Sequence, residues 1–146
     1  MSYKEKSVLG IAFTVLVVMG WFFSQAFSML EGGDPRPGAL LWLSIPVVIA
    51  TIVLEVLIEA VLGVVHRDDA GEDERDRLFD LRGERTASYV LHIGVYFAIG
   101  HLMINDLMDQ LDDAALFVSV MLFFGAVTLA TLAKCGTQVF AYRRGY

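Results

Sequence analysis

The sequence predicts an all-α integral membrane protein: a bundle of four transmembrane helices, both termini cytoplasmic, polar stripes facing inward. Three observations lead there. The first is composition. Hydrophobic residues make up 56% of the 146 positions and charged residues 19%, with a mean hydropathy of +0.60. A small soluble domain needs more polar residues than that to cover its surface. The second is that the apolar residues fall in four long blocks, 7–30, 39–65, 86–104 and 114–133. At about 1.5 Å per helical residue, each is long enough to cross a hydrocarbon core of about 30 Å. The third is charge placement. Ten of the eleven Lys and Arg residues (Lys4, Lys6, Arg67, Arg75, Arg77, Arg82, Arg85, Lys134, Arg143 and Arg144) fall on one side of these blocks, and Arg36 alone on the other. Lys and Arg collect in cytoplasmic loops, so both termini and the 66–86 segment are expected in the cytoplasm and the chain in a bacterial inner membrane.

The elements follow in order. Block one comes after the short head "MSYKEK". It is longer than a signal-peptide core and lacks a small-x-small cleavage site, so it is read as a span. "EGGDPRPG" (31–38) is an outer turn whose glycines and prolines end one helix and start the next. Span two carries Pro46, which is expected to kink it. The polar segment "HRDDAGEDERDRLFDLRGER" is read as a juxtamembrane helix over about 72–85 that runs into span three. Asp69 or Gly71 would cap it, and Glu72, Asp73 and Glu74 suit its positive end. Asp73 and Arg77, four apart, form a helix-surface pair. The face holding Arg75, Arg77, Leu78, Leu81, Arg82 and Arg85 has two readings: a solvated helix whose arginines meet anionic headgroups, or a docking surface for a cytoplasmic partner. "NDLMDQLDD" is a short acidic outer loop. The tail "KCGTQVFAYRRGY" stays near the membrane and ends in aromatic and basic anchors. Cys135 is the one cysteine, so no intramolecular disulfide can form; it reads as a small buried thiol. The whole chain is one domain.

Polar residues recur at helical spacing in every span. Ser44, Thr51, Glu55, Glu59 and His66 fall within roughly 80° of one another on span two. Thr14, Trp21, Gln25 and Ser28 line span one, and Tyr89, His92, Tyr96 and Gly100 line span three. Span four offers small residues, Ser119, Ala126, Ala130 and Thr137, which permit close helix contact and make that face a candidate for an oligomer interface. Matching depths across antiparallel spans two and three sets Glu59 level with His92 and Glu55 level with Tyr96. Carboxylates in hydrocarbon are expensive, so these acids are expected to be protonated, paired or hydrated. The Glu55, Glu59, His92, Tyr96 group then has the composition of a proton- or cation-binding site. Its structural alternative is hydrogen-bond glue between helices or protomers, with Glu59, about 9 Å from the cytoplasmic end, reaching the interface.

His101 is turned away from His92 and does not extend this line outward, so a water path inside one protomer is not expected; a path between protomers stays open. His101 with Asp106, Asp109 and Asp113 is a weak candidate for a hard cation. Without a CxxC or HxxxH pattern, no resident metal and no cofactor are implied. Nucleotide-binding glycine motifs, a serine elbow and a zinc-protease motif are absent from the sequence, so an enzyme is not expected. Basic and acidic residues interleave, which argues against direct nucleic-acid binding.

"YKEKSV" ahead of span one and "DERDRLFDLRGERTASYVL" ahead of span three resemble a group of small four-span bacterial membrane proteins. Their D-E-R-x-R…R-x-x-R segment is matched by Asp73, Glu74, Arg75, Arg77, Arg82 and Arg85, followed by Tyr89, with spacing that agrees in part. The resemblance implies the same four-span fold and a membrane partner for a small DNA-binding regulator; it implies no catalytic or binding residue. Three functions are then compatible with the sequence. The first is a regulatory or sensing module, whose buried acids set the bundle's state and whose 72–85 helix reports it. The second is a proton- or cation-conducting oligomer, and the third a structural accessory subunit of a membrane complex.

Overall fold

A computed structural model of the chain describes residues 3–33, 35–65 and 74–144. Its elements are four helices in an up-down-up-down order: α1 (Tyr3–Glu31), α2 (Pro37–Val65), α3 (Glu74–Leu107) and α4 (Asp113–Arg144). Each is long and apolar enough to cross a membrane. His66, Arg67, Asp69, Gly71, Glu72 and Asp73 lie outside the described residues.

Local chemistry sets the turns. α1 ends where Gly33 adopts φ 72°, a conformation only glycine takes without strain, and the Gly32 amide donates back to the Ser28 carbonyl at 3.0 Å. Pro37 then opens α2, its missing N–H being one the first turn does not need. Asp112 caps α4, its Oδ1 accepting from the Ala115 amide at 2.8 Å. The helix α2 continues through Pro46. Residues 74–85 form the start of α3. At 34 and 32 residues, α3 and α4 are each about 50 Å long. Both therefore overrun a bilayer core at the end that carries the two termini.

The helix α4 is the hub. It packs most extensively on α3, substantially on α1 and lightly on α2, while α1 and α2 pack on each other; α3 has no substantial interface with α1 or α2. The apolar core lies in the α1–α2–α4 triangle, built from Val15, Met19, Phe22, Ala26, Leu40, Val47, Phe117 and Met121. The α3–α4 seam is built differently, from small residues. A Cβ on Gly94 would overlap Ala126, and one on Gly83 would stand 2.9 Å from Gln138 Cγ.

The expected inward polar stripes hold only in part. Thr14, Ser44, Ser119, Ala126 and Ala130 are buried, but Trp21, Gln25, Ser28, Tyr89, His92 and Tyr96 face outward. The small face of α4 is already occupied by α3 of the same chain, so it is not available to a second copy. The reason is physical. Lipid tails are as apolar as leucine, so nothing but fit chooses which apolar face turns inward. Hydroxyls in these helices also satisfy themselves: Ser44 donates to the Leu41 carbonyl at 2.7 Å and Thr51 to the Val47 carbonyl at 2.9 Å. Such groups need no polar neighbour.

Candidate functional site

The polar chemistry of the molecule gathers on α4 at the end bearing the termini. Three acids of α3, Asp76, Asp80 and Glu84, recur every four residues and so share one face. Lys134, Gln138 and Tyr142 recur the same way on α4. The two helices are antiparallel, so the sets meet as three rungs of a ladder. Lys134 Nζ lies 3.5 Å from Glu84 Oε1, and Gln138 Nε2 donates to Asp80 Oδ1 at 2.8 Å. In the last rung, Asp76 approaches a Tyr142 hydroxyl that is buried without a partner in hydrogen-bond geometry. This rung lies beyond the apolar 114–133 block. Burial first, then Asp76 and Asp80, push the Tyr142 phenol above its ordinary range, so it stays protonated. Gly83 lets the rungs close, because Lys134 and Gln138 cross α3 directly over it. Phe79, buried, backs the ladder edge-on to Tyr142 at 5.0 Å.

The other two helices join the same strip of α4. Arg143 Nε reaches Glu5 Oε1 of α1 at 3.5 Å; the Glu5 side chain is only 11% exposed. From α2 comes Glu55, half-buried, whose charged neighbours are Glu59 and Lys134. Lys134 therefore pairs with an acid on α3 and lies in the field of a second acid on α2. Buried Cys135 sits beside it, within the field of both Lys134 and Glu55.

This places the sequence-derived candidates. Thr51 shares a cleft with Thr128 and Thr131 of α4, so Glu55, one turn further along, stands level with Lys134 and Glu84. It lies at the inner edge of the α4 apolar block rather than near its middle. Gly94 faces Ala126, so Tyr96 lies about 15 Å farther from that edge. The structure thus brings Glu55 to Lys134 and not to His92 or Tyr96. Both of those project away from α4, on a helix that has no substantial interface with α2. His92 binds its own helix through Nδ1 at the Ser88 carbonyl. Glu59 is exposed.

Arg75, Arg77, Leu78, Leu81, Arg82 and Arg85 are all exposed, with Arg75 lying over Phe79 at 5.6 Å. Leu78, Arg82 and Arg85 sit on the side of α3 opposite the ladder. At the other end of the bundle, His101 Nδ1 pairs with Ser119 Oγ at 2.9 Å, joining α3 to α4. Asp106, Asp109 and Asp113 are exposed and dispersed. Among the described residues, no group of three or more His, Cys, Asp and Glu side chains is gathered as a metal site.

The residues missed from sequence are Glu5, Asp76, Asp80, Glu84, Lys134, Gln138 and Tyr142. Their signal was present: two sets of three polar residues at four-residue spacing, on two helices joined by one short turn. No protein family, characterised protein or solved structure matches the chain.

Proposed function

We propose that this is a multi-pass protein of a bacterial inner membrane, with both termini cytoplasmic, acting as a non-enzymatic regulatory or sensing module. The carrying observation is that Lys134 on α4, paired with Glu84 on α3, also lies within the electrostatic reach of Glu55 on α2. Ionised, Glu55 holds α2 to the α3–α4 pair through Lys134. Protonated, it releases that hold and leaves Lys134 to Glu84. A single proton thereby changes how one hairpin sits on the other, which is the element a switch requires. The charged groups around Glu55 are Glu59 on its own helix and Lys134 with the Cys135 thiol on α4. Lys6 of α1 lies alongside Leu57, Ile58 and Val61 of α2. The stretch of α3 preceding residue 86, rigidly laddered to α4, carries the exposed Leu78, Leu81, Arg82 and Arg85 to a cytoplasmic protein partner; nucleic acid is not contacted directly.

Thermal stability in nanodiscs, measured across the carboxylate titration range, tests this. The native protein is expected to change its midpoint with pH, and Glu55→Gln and Lys134→Met to flatten that change. Proton flux in proteoliposomes that the native protein carries and Glu55→Gln loses would overturn the reading in favour of conduction.

A further inference from the structure

We propose that copies of this chain associate head to tail within the membrane, the outward face of α3 of one copy seating against the outward face of α1 of the next. The helix α3 packs substantially on α4 alone, and only 6% of its most apolar stretch is buried, against 33% for α1 and α4. Its opposite face puts polar groups where lipid tails would be. Tyr96 is 70% exposed. His92 engages Ser88 O through Nδ1, which leaves Nε2 an acceptor pointing outward. Hydrocarbon offers neither group a partner.

The helix α1 has a matching face. Trp21, Ser24, Gln25 and Ser28 are exposed there, with Gly20 beside them; the Gln25 carboxamide has no partner among the described residues. Depth makes the match specific. Phe23 of α1 stands 3.8 Å from a Cβ built on Gly125 of α4, and Gly94 of α3 faces the neighbouring Ala126. Gly20 therefore stands level with His92, Ser24 with Tyr96, and Ser28 with Gly100. Copies rotated about an axis normal to one membrane keep every residue at its depth, so these are the residues that would meet. At two of these levels the sizes fit, His92 and Tyr96 of α3 against Gly20 and Ser24 of α1, and the hydroxyl and carboxamide groups of α1 supply what His92 and Tyr96 lack. Gly20 and Gly100 have nothing within 4 Å of a built Cβ. A glycine inside a helix costs about 1 kcal/mol relative to alanine, and no contact inside the chain uses either one.

Pairing α3 with its own copy fits less well. It sets Tyr96 on Tyr96 and repeats Arg82 and Arg85 against themselves, a like-charge contact. The α3-on-α1 contact is heterologous, so a closed assembly is a ring.

Cysteine crosslinking in native membranes decides it, on a Cys135→Ala background with two tagged forms of the chain expressed together. Ser24→Cys on one form and Tyr96→Cys on the other are expected to give a two-chain disulfide band, and either variant alone none. Gly20→Cys with His92→Cys is the second pair, at the same depth. Asp80→Cys with Gln138→Cys in one chain shows that oxidation reaches completion. A band from Tyr96→Cys alone would make α3–α3 the interface, and no band from either mixed pair would remove the interface altogether; both overturn the proposal. The inference rests on the membrane placement proposed above but not on sensing. Carbonate extraction of the same membranes reports failure of that placement separately.

Discussion

The α1–α2–α4 triangle and the α3–α4 seam hold together by different means. The triangle interlocks large apolar side chains, with Phe22, Leu40 and Phe117 fully buried. The seam is closed by Gly83, Gly94 and Ala126 and then pinned by polar rungs at one end and by His101–Ser119 at the other. In a membrane the first kind of contact competes with lipid, which offers nearly the same dispersion, so its specificity comes from shape. The second kind has no lipid substitute and depends on charge state. The fold thus joins a unit held by shape to one held by polar rungs, and α4 belongs to both.

Substitutions at the α3–α4 seam have the largest expected effect. Gly94→Val is expected to destabilise the protein by about 3 kcal/mol, because added atoms must displace the Ala126 backbone. Gly136→Ala, an exposed helix position with open space around it, is expected to be neutral or stabilising by up to about 1 kcal/mol. Chemical denaturation in mild detergent reads both.

Next comes the central rung. Gln138→Ala removes the 2.8 Å bond to Asp80 and is expected to cost about 1–2 kcal/mol, loosening the start of α3 in hydrogen exchange before it affects the triangle. Reversing Arg82 and Arg85 to Glu touches no rung. Stability is expected to stay within about 0.5 kcal/mol, while capture of a cytoplasmic partner is lost.

Tyr142→Phe is the smallest perturbation and the sharpest on pH. The hydroxyl is buried with no partner in hydrogen-bond geometry, so its removal is expected to be neutral or slightly stabilising at neutral pH. Its folded-state pKa is raised, so its contribution is full below the ordinary phenol value of about 10 and is lost as pH rises beyond it. An alkaline loss of stability in the native protein should therefore be reduced in Tyr142→Phe, as read by thermal melts.

The helices were legible because length, apolar blocks and turn residues are local features; Gly33, Pro37 and Asp112 act where the chain order puts them. Glu55 was legible as a charge in an apolar run. Its partner was not. Pairing it with His92 and Tyr96 assumed that consecutive helices α2 and α3 pack together, whereas the one substantial interface of α3 is with α4. Helical periodicity placed Trp21, Gln25, His92 and Tyr96 correctly on stripes but carries no sign, and in a bilayer either face of a helix can be the outside one. Lys134 was read only as one of ten basic residues on one side of the spans, and the crossing over Gly83 is what brings it to Glu84.

The most direct test of the shared lysine is a distance. Spin labels at the exposed positions Val61 on α2 and Phe140 on α4, on a Cys135→Ala background in nanodiscs, report how the α1–α2 hairpin sits on α4. The distance distribution is expected to shift as pH falls from about 7 to about 3, through the carboxylate range, and Glu55→Gln is expected to hold the acidic distribution at every pH. An unchanged distribution in the native protein, or an undiminished shift in Glu55→Gln, would contradict this expectation.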